Sequence, residues 1–244
     1  SMPDPYVEAV GALGTFNYAP PVAQVAQYLS GVDFWVFLWL WTWLLVGTVV
    51  WIAGSPTWVL VAFAIPFVAL DLYHGNINIL LAAAIVLGFR HPWTWAFVLL
   101  TKPTAGVGLL WFAVRREWRP LSIALGTTVA ISAVSFVLAP ELWAAWFELL
   151  AGGLGSTPSS PHIPVPLWVR LPLAAVLVVW GALTDRRWTV VVSSMLALPV
   201  LWFAAAAMLV GVLPDLRAYV QRRRVTEDET AAAAVVDQTE EPAR

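Results

Sequence analysis

The sequence predicts an all-α polytopic membrane protein, a bundle of about 7–9 transmembrane or half-length helices. Three observations carry that expectation. Of 244 residues, 60% are hydrophobic and only 11% charged, whereas a soluble domain is about 25% charged. An unbroken apolar run fills 32–53. Further apolar runs follow one another as far as residue 213, separated by short polar punctuation. This balance excludes a cytosolic enzyme, a nucleic-acid binder and a disordered regulator. With no Cys there is no disulfide, Fe–S site or thiol catalysis. The three His form no cluster with Asp or Glu at metal-ligand spacing, so no metal and no other cofactor is expected.

Residues 1–31 lack the basic and apolar regions of a signal peptide and read as an outer-side segment carrying an interfacial helix. Their polar character directly before a span suggests that the chain begins partway into a longer protein. Residues 32–213 form the transmembrane core. The span 32–53 reaches about 33 Å as a helix, enough for a bilayer core of about 30 Å. After it come 57–71, 77–89, 92–101, 103–114, 120–139, 167–184, 188–198 and 200–213. Several are too short to cross alone.

Arginines near the helix ends set the orientation. Arg90, Arg115/Arg116/Arg119, Arg186/Arg187 and Arg222/Arg223/Arg224 are all expected on the cytoplasmic side. An apolar stretch interrupted at Thr101-Lys102-Pro103 separates the first two clusters, and one interrupted at Leu198-Pro199 precedes the last. A single straight helix in either stretch would put neighbouring clusters on opposite sides. Two half-length helices broken at the proline keep them together, and broken helices at membrane depth line cavities. Residues 72–76, the region around 102 and the loop 140–166 then share the outer side. Within that loop 141–150 reads as an interfacial helix, with Trp and Leu on one side and Glu141 and Glu148 on the other. Residues 214–244 hold seven acids and five bases, hence the whole net charge of −2, and read as a disordered cytoplasmic tail.

The polar exceptions point to chemistry. Lys102 is the only lysine, set mid-stretch in FVLLTKPTAGVGLLWF. A charge in an apolar span costs about 2.5–3.5 kcal/mol on insertion scales and marks function by default. It suits a phosphate as a point charge, with the helix that Pro103 starts adding N–H groups. A snorkelling interfacial lysine is the structural alternative. Asp71-Leu72-Tyr73-His74-Gly75-Asn76-Ile77-Asn78 packs four polar groups around a short outer turn. It reads as hydroxyl recognition with Asp71 or His74 as proton acceptor, or as helix capping by Asn76 and Asn78. Phe16-Asn17-Tyr18-Ala19-Pro20-Pro21 precedes the amphipathic VAQVAQYL and reads equally as substrate contact or surface anchoring. Asp33 is expected as a helix cap, His162 as a loop residue, and the Trp set of 35–51 as lipid contact. Gly106 and Gly108 read as small residues that let helices approach.

FNYAPP, HGNINILLAAAIVLGFRHPWTWAFVLLTKPTAGVGLLWFAVRREWR and SSMLALPVLW together resemble glycosyltransferase family 87 over roughly residues 4–213. That resemblance implies a GT-C-like fold and a metal-independent, inverting transfer of a sugar, many family members being actinobacterial mannosyltransferases of the cell envelope. It implies a polyprenyl-phosphate-linked mannose donor and a glycolipid or glycan acceptor. Lys102, with Thr101 and Thr104 beside it, would contact the donor phosphate. His74, Gly75, Asn76 and Asn78 would lie beside the sugar, with Asn17 and Tyr18 as further contacts. The family places its catalytic Asp in a first outer loop after an N-terminal helix. Asp4-Pro5-Tyr6 resembles a later piece of the family, so that helix and that Asp are expected to be lacking. Asp4, Asp71 and His74 are then the substitute candidates for the base. Without a base, activity of the chain by itself is expected to be very low.

The sequence therefore predicts a multi-pass plasma-membrane glycosyltransferase with its active side extracytoplasmic. Its rivals are a non-catalytic membrane subunit that binds polyprenyl phosphate or glycolipid, and a transporter. Membrane lipid is a partner in each case, and nucleic acid in none.

Overall fold

The structure, a computed structural model, describes residues 18–152 and 162–240, without the side chains of 231–240. Among the described residues the chain is helical throughout. Four helices are long and apolar enough to cross a membrane, or five if one bent pair counts as a span.

Helix α1 (Pro20–Leu29) starts on two buried prolines, whose fixed φ suits a first turn. Helix α2 (Phe34–Ala53) opens on the expected cap. Asp33 Oδ1 accepts the N–H groups of Trp35 and Val36 at 3.0 and 3.2 Å. Trp35, Trp39 and Trp43 are 64%, 60% and 66% exposed, a lipid-facing stripe at i, i+4, i+8. At its end Gly54 takes φ +69°, and Arg217 Nη1 donates to Ala53 O at 2.8 Å.

The stretch 57–71, expected as one helix, is two. Helices α3 (Pro56–Ala64) and α4 (Pro66–His74) meet at 77°. Pro66 has no N–H to continue the ladder and forces Ile65 into extended geometry, φ −75° and ψ 111°. Helix α5 (Asn78–Gly88) follows. A 3₁₀ turn at Pro92–Thr94 then sends the chain back, with Thr94 Oγ1 donating to Ala84 O at 2.8 Å.

Both expected breaks are present. Helix α6 (Trp95–Thr101) stops at Lys102, and a 3₁₀ helix (Pro103–Leu109) leads into α7 (Leu110–Val114). Helices α8 (Trp118–Leu138), α9 (Pro140–Gly152) and α10 (Leu167–Thr184) follow. Helix α9 covers residues 141–150 as a helix, with Glu141 and Glu148 exposed. Helix α11 (Trp188–Leu196) stops before Pro199, and a second 3₁₀ helix (Phe203–Val212) enters α12 (Leu213–Glu240). Residues 214–240, expected as a disordered tail, continue this helix.

The 3₁₀ segments run seven and ten residues, longer than the three or four usual for that geometry. Tight packing surrounds the first of them. A Cβ on Gly108 would come within 2.9 Å of Ser194 Oγ and Val190 Cγ1. Ser194 Oγ in turn donates to Ala105 O at 2.9 Å, tying the two broken helices together. The core behind them is apolar and buried, built on Leu45, Ile79, Leu81, Ile85, Trp95, Phe112 and Met208.

The second break depends on a residue that sequence reasoning passed over. Arg170, buried in the first turn of α10, donates through Nε to Val165 O (2.7 Å) and through Nη1 to Leu196 O (2.6 Å) and Leu198 O (2.9 Å). Nη2 reaches Pro199 O at 3.1 Å. These carbonyls at and beyond the end of α11 carry partial negative charge and lack helical N–H partners. Arg170→Leu strands them in an apolar interior and is expected to cost about 3–5 kcal/mol. The measurement is thermal unfolding in detergent, where an unchanged midpoint would refute this role.

Candidate functional site

The turn between α4 and α5 is built around one carboxylate. Asp71 is fully buried. Its Oδ1 accepts from Asn78 Nδ2 at 2.7 Å and its Oδ2 from Ile79 N at 3.2 Å. Asp71 thus satisfies an orphan N–H at the start of α5, the capping role sequence reasoning gave to Asn76 and Asn78. The Asn76 backbone N–H donates to Asp71 O at 3.0 Å, closing the turn from its other side. Gly75 takes φ +60°, a conformation that disfavours any residue with a Cβ. Trp41 Nε1 of α2 donates to Gly75 O at 2.9 Å and holds the turn against the bundle.

This scaffold leaves defined groups for chemistry. The His74 Nδ1 lies 2.8 Å from Leu70 O. A carbonyl only accepts, so Nδ1 carries the proton, and in the neutral ring Nε2 keeps a lone pair. His74 is exposed, and Tyr73 packs edge-on against it at 5.1 Å. The Asn76 amide makes no hydrogen bond among the described residues and is half-buried. Asn78 has given an N–H to Asp71, and its Oδ1 remains an acceptor.

Lys102 sits in the break between α6 and the 3₁₀ helix that follows. It is half-buried, and among the described residues no carboxylate lies within ion-pair distance of it. Its Nζ lies 4.9 Å from the centroid of the Tyr18 ring. Thr101 Oγ1 donates to Phe97 O at 2.6 Å, so that hydroxyl offers only lone pairs. Thr104 Oγ1 is buried and finds no partner among the described residues.

Tyr18 joins the two groups. The next residue anchors it, Ala19 N donating to Leu100 O at 3.0 Å on the last turn of α6. Burial pushes the Tyr18 phenol above its ordinary pKa, and the negative charge of Asp71 pushes it the same way. Its ring is therefore in contact with Lys102 and within electrostatic range of Asp71. Of the sequence-predicted residues, Tyr18, Lys102, Thr101, Thr104, Asp71, His74, Asn76 and Asn78 are placed on two adjoining features. Asp4 and Asn17 lie outside the described residues.

A cavity of about 260 Å³ opens beside the other break. His162, Pro166, Arg170 and Pro199 are among the residues that line it. The His162 ring packs edge-on to Trp202 at 6.2 Å. Arg170 spends four N–H contacts on carbonyls there, so its polar capacity serves the fold first. Among the described residues no group of three His, Asp or Glu side chains is arranged to hold a metal ion.

A family model described as glycosyltransferase family 87 matches residues 16–236. No curated protein and no solved structure matches the chain.

The turn provides its own test. Asp71→Asn puts an amide N–H against the N–H of Asn78 or Ile79, removing one buried acceptor. The expected cost is about 1–3 kcal/mol of stability. Thermal melts in detergent, with trypsin cleavage after Arg90 as a local readout, check it.

Proposed function

The chain belongs to glycosyltransferase family 87, a family of membrane glycosyltransferases, and from that premise we propose that it moves mannose from a polyprenyl phosphate to a glycolipid or glycan hydroxyl. The observation that carries the reading is Lys102. It is a half-buried ammonium in a helix break, without a carboxylate partner among the described residues and near a buried hydroxyl, that of Thr104, without an acceptor. A phosphate supplies what both groups lack. As the anomeric C–O bond to the phosphate breaks, negative charge grows on the leaving oxygen. Lys102 stabilises that developing charge from its half-buried position in the break. The Thr104 hydroxyl donates a further hydrogen bond, and Thr101 lines the same break.

The α4–α5 turn takes the sugar side. The Asn76 side-chain amide and Asn78 Oδ1 supply a donor and acceptors for sugar hydroxyls, and Asn17, outside the described residues, is a further candidate. The acceptor hydroxyl loses its proton as it attacks the anomeric carbon. Both Asp71 oxygens are engaged within the fold, whereas His74 is exposed and only its Nδ1 is bound to the fold, which leaves Nε2 available. Among the described candidates His74 is thus the better placed base, and Asp4 stands as the candidate outside the described residues. The reaction draws on no metal in this reading.

The arginines support the orientation. Arg90, Arg115, Arg186 and Arg187 lie at helix ends away from the two breaks, and Arg222–Arg224 lie within α12, beyond the second break. The positive-inside rule then puts the breaks and the 71–78 turn on the extracytoplasmic side of the plasma membrane and α12 on the cytoplasmic side.

The test is transfer from radiolabelled polyprenyl-phosphate-mannose by purified protein in lipid nanodiscs. Lys102→Ala is expected to lower turnover per unit of donor by about a hundredfold, the usual scale for one group that stabilises developing charge. Full activity in that variant would refute the phosphate site. Donor binding without any transfer would instead identify a non-catalytic lipid-phosphate-binding subunit.

A further inference from the structure

A lysine side chain has four rotatable bonds and a strongly hydrated head. Left in a half-buried break without a carboxylate, it would sample many rotamers and pull its ammonium toward water. Three features oppose this. The Lys102 backbone is fixed on both sides, its N–H donating to Val98 O at 2.8 Å and its C=O accepting from Ala105 N at 2.9 Å. Its Nζ stands 4.9 Å from the Tyr18 ring centroid. Tyr18 cannot drift, because Ala19 is hydrogen-bonded to Leu100 O and buried Pro20 and Pro21 start α1 directly after it.

We propose that Tyr18 is the positioning residue of Lys102, its ring face holding the ammonium at the phosphate position before the donor arrives. A ring face attracts a cation through its quadrupole without taking a hydrogen bond in the manner of a carboxylate. It therefore orients the ammonium without neutralising it, and leaves N–H donors for an anion arriving from the side away from the ring. A carboxylate in the same place would compete with the phosphate. The ring contact persists when the anion binds, and the rotamer entropy of the lysine is lost before binding rather than during it. Tyr18 is thereby assigned to the lipid-phosphate donor rather than to the acceptor. This inference rests on the phosphate reading of Lys102.

The experiment measures binding of undecaprenyl phosphate, and of uncharged undecaprenol as control, to the full chain in nanodiscs. Tyr18→Leu is expected to weaken phosphate-lipid binding about tenfold and leave undecaprenol unchanged, while Tyr18→Phe stays within about twofold of the parent. In transfer assays the Tyr18→Leu loss appears in the donor KM, with kcat nearly unchanged. Equal binding by Tyr18→Leu overturns the proposal. So does a Tyr18→Phe variant as weak as Tyr18→Leu, since the hydroxyl rather than the ring face would then matter. Equal losses for both lipids overturn it too, because they report packing alone. Should Tyr18→Leu fail to fold, progressively fluorinated phenylalanines at position 18 keep the shape and drain the ring quadrupole. Affinity falling stepwise with fluorination supports the proposal, and a flat series overturns it. Lys102→Ala separates the two levels. Unchanged binding there removes the phosphate site itself, whereas lost binding there with intact Tyr18→Leu removes only the role of Tyr18.

Discussion

A backbone interrupted at membrane depth has nowhere to send its freed N–H and C=O groups except to the protein itself, and this requirement organises the bundle. At the second break Arg170 meets it by donating to Leu196 O, Leu198 O and Pro199 O. At the α4–α5 turn Asp71 meets it for the N–H of Ile79. Between the broken helices Ser194 meets it for Ala105 O. Each solution brings a polar side chain into an apolar interior, and each then fixes the angle at which two short helices meet. The polar residues of the core are there because helices stop, at Lys102-Pro103, at Leu198-Pro199 and at the Gly75 turn.

The same requirement separates structural from functional polarity. Asp71 and Arg170 are buried and fully engaged, so their charges stabilise the scaffold first. Lys102 and the buried Thr104 hydroxyl lie in a half-buried break and are not matched by protein acceptors or anions among the described residues. A buried group without its partner costs free energy that a ligand can recover. This contrast, rather than the presence of charge alone, is what supports the proposal of a phosphate site at the first break. Tyr18 refines it by steadying the lysine without cancelling its charge.

Much of the architecture was legible in the residues. Apolar length predicted the α2, α8 and α10 spans, and the two proline breaks followed from the need to keep the arginine clusters on one side. The single lysine stood out because its background is apolar. Other features were illegible for physical reasons. The 77° bend at Pro66 falls inside a run whose hydropathy never changes, so only the missing N–H marks it. Residues 214–240 lack the apolar face that predicts a packed helix, yet they continue a helix already nucleated in the bundle, where each added residue gains a hydrogen bond. Arg170 was passed over, because the carbonyls it holds at the break lie 26–29 residues away along the chain.

By itself the sequence determined the class of the protein, a helical membrane bundle with two broken helices and one isolated lysine, because hydropathy and proline act locally. The tertiary structure alone decided what the polar residues do. Asp71 became a cap rather than an open carboxylate, His74 turned one ring nitrogen to its own helix, and Tyr18 met a lysine 84 positions further along the chain. Such roles depend on which groups fold brings within a few ångströms of each other. A side chain buried where water is absent takes whatever partner the packing provides, and no local pattern in the chain records that choice.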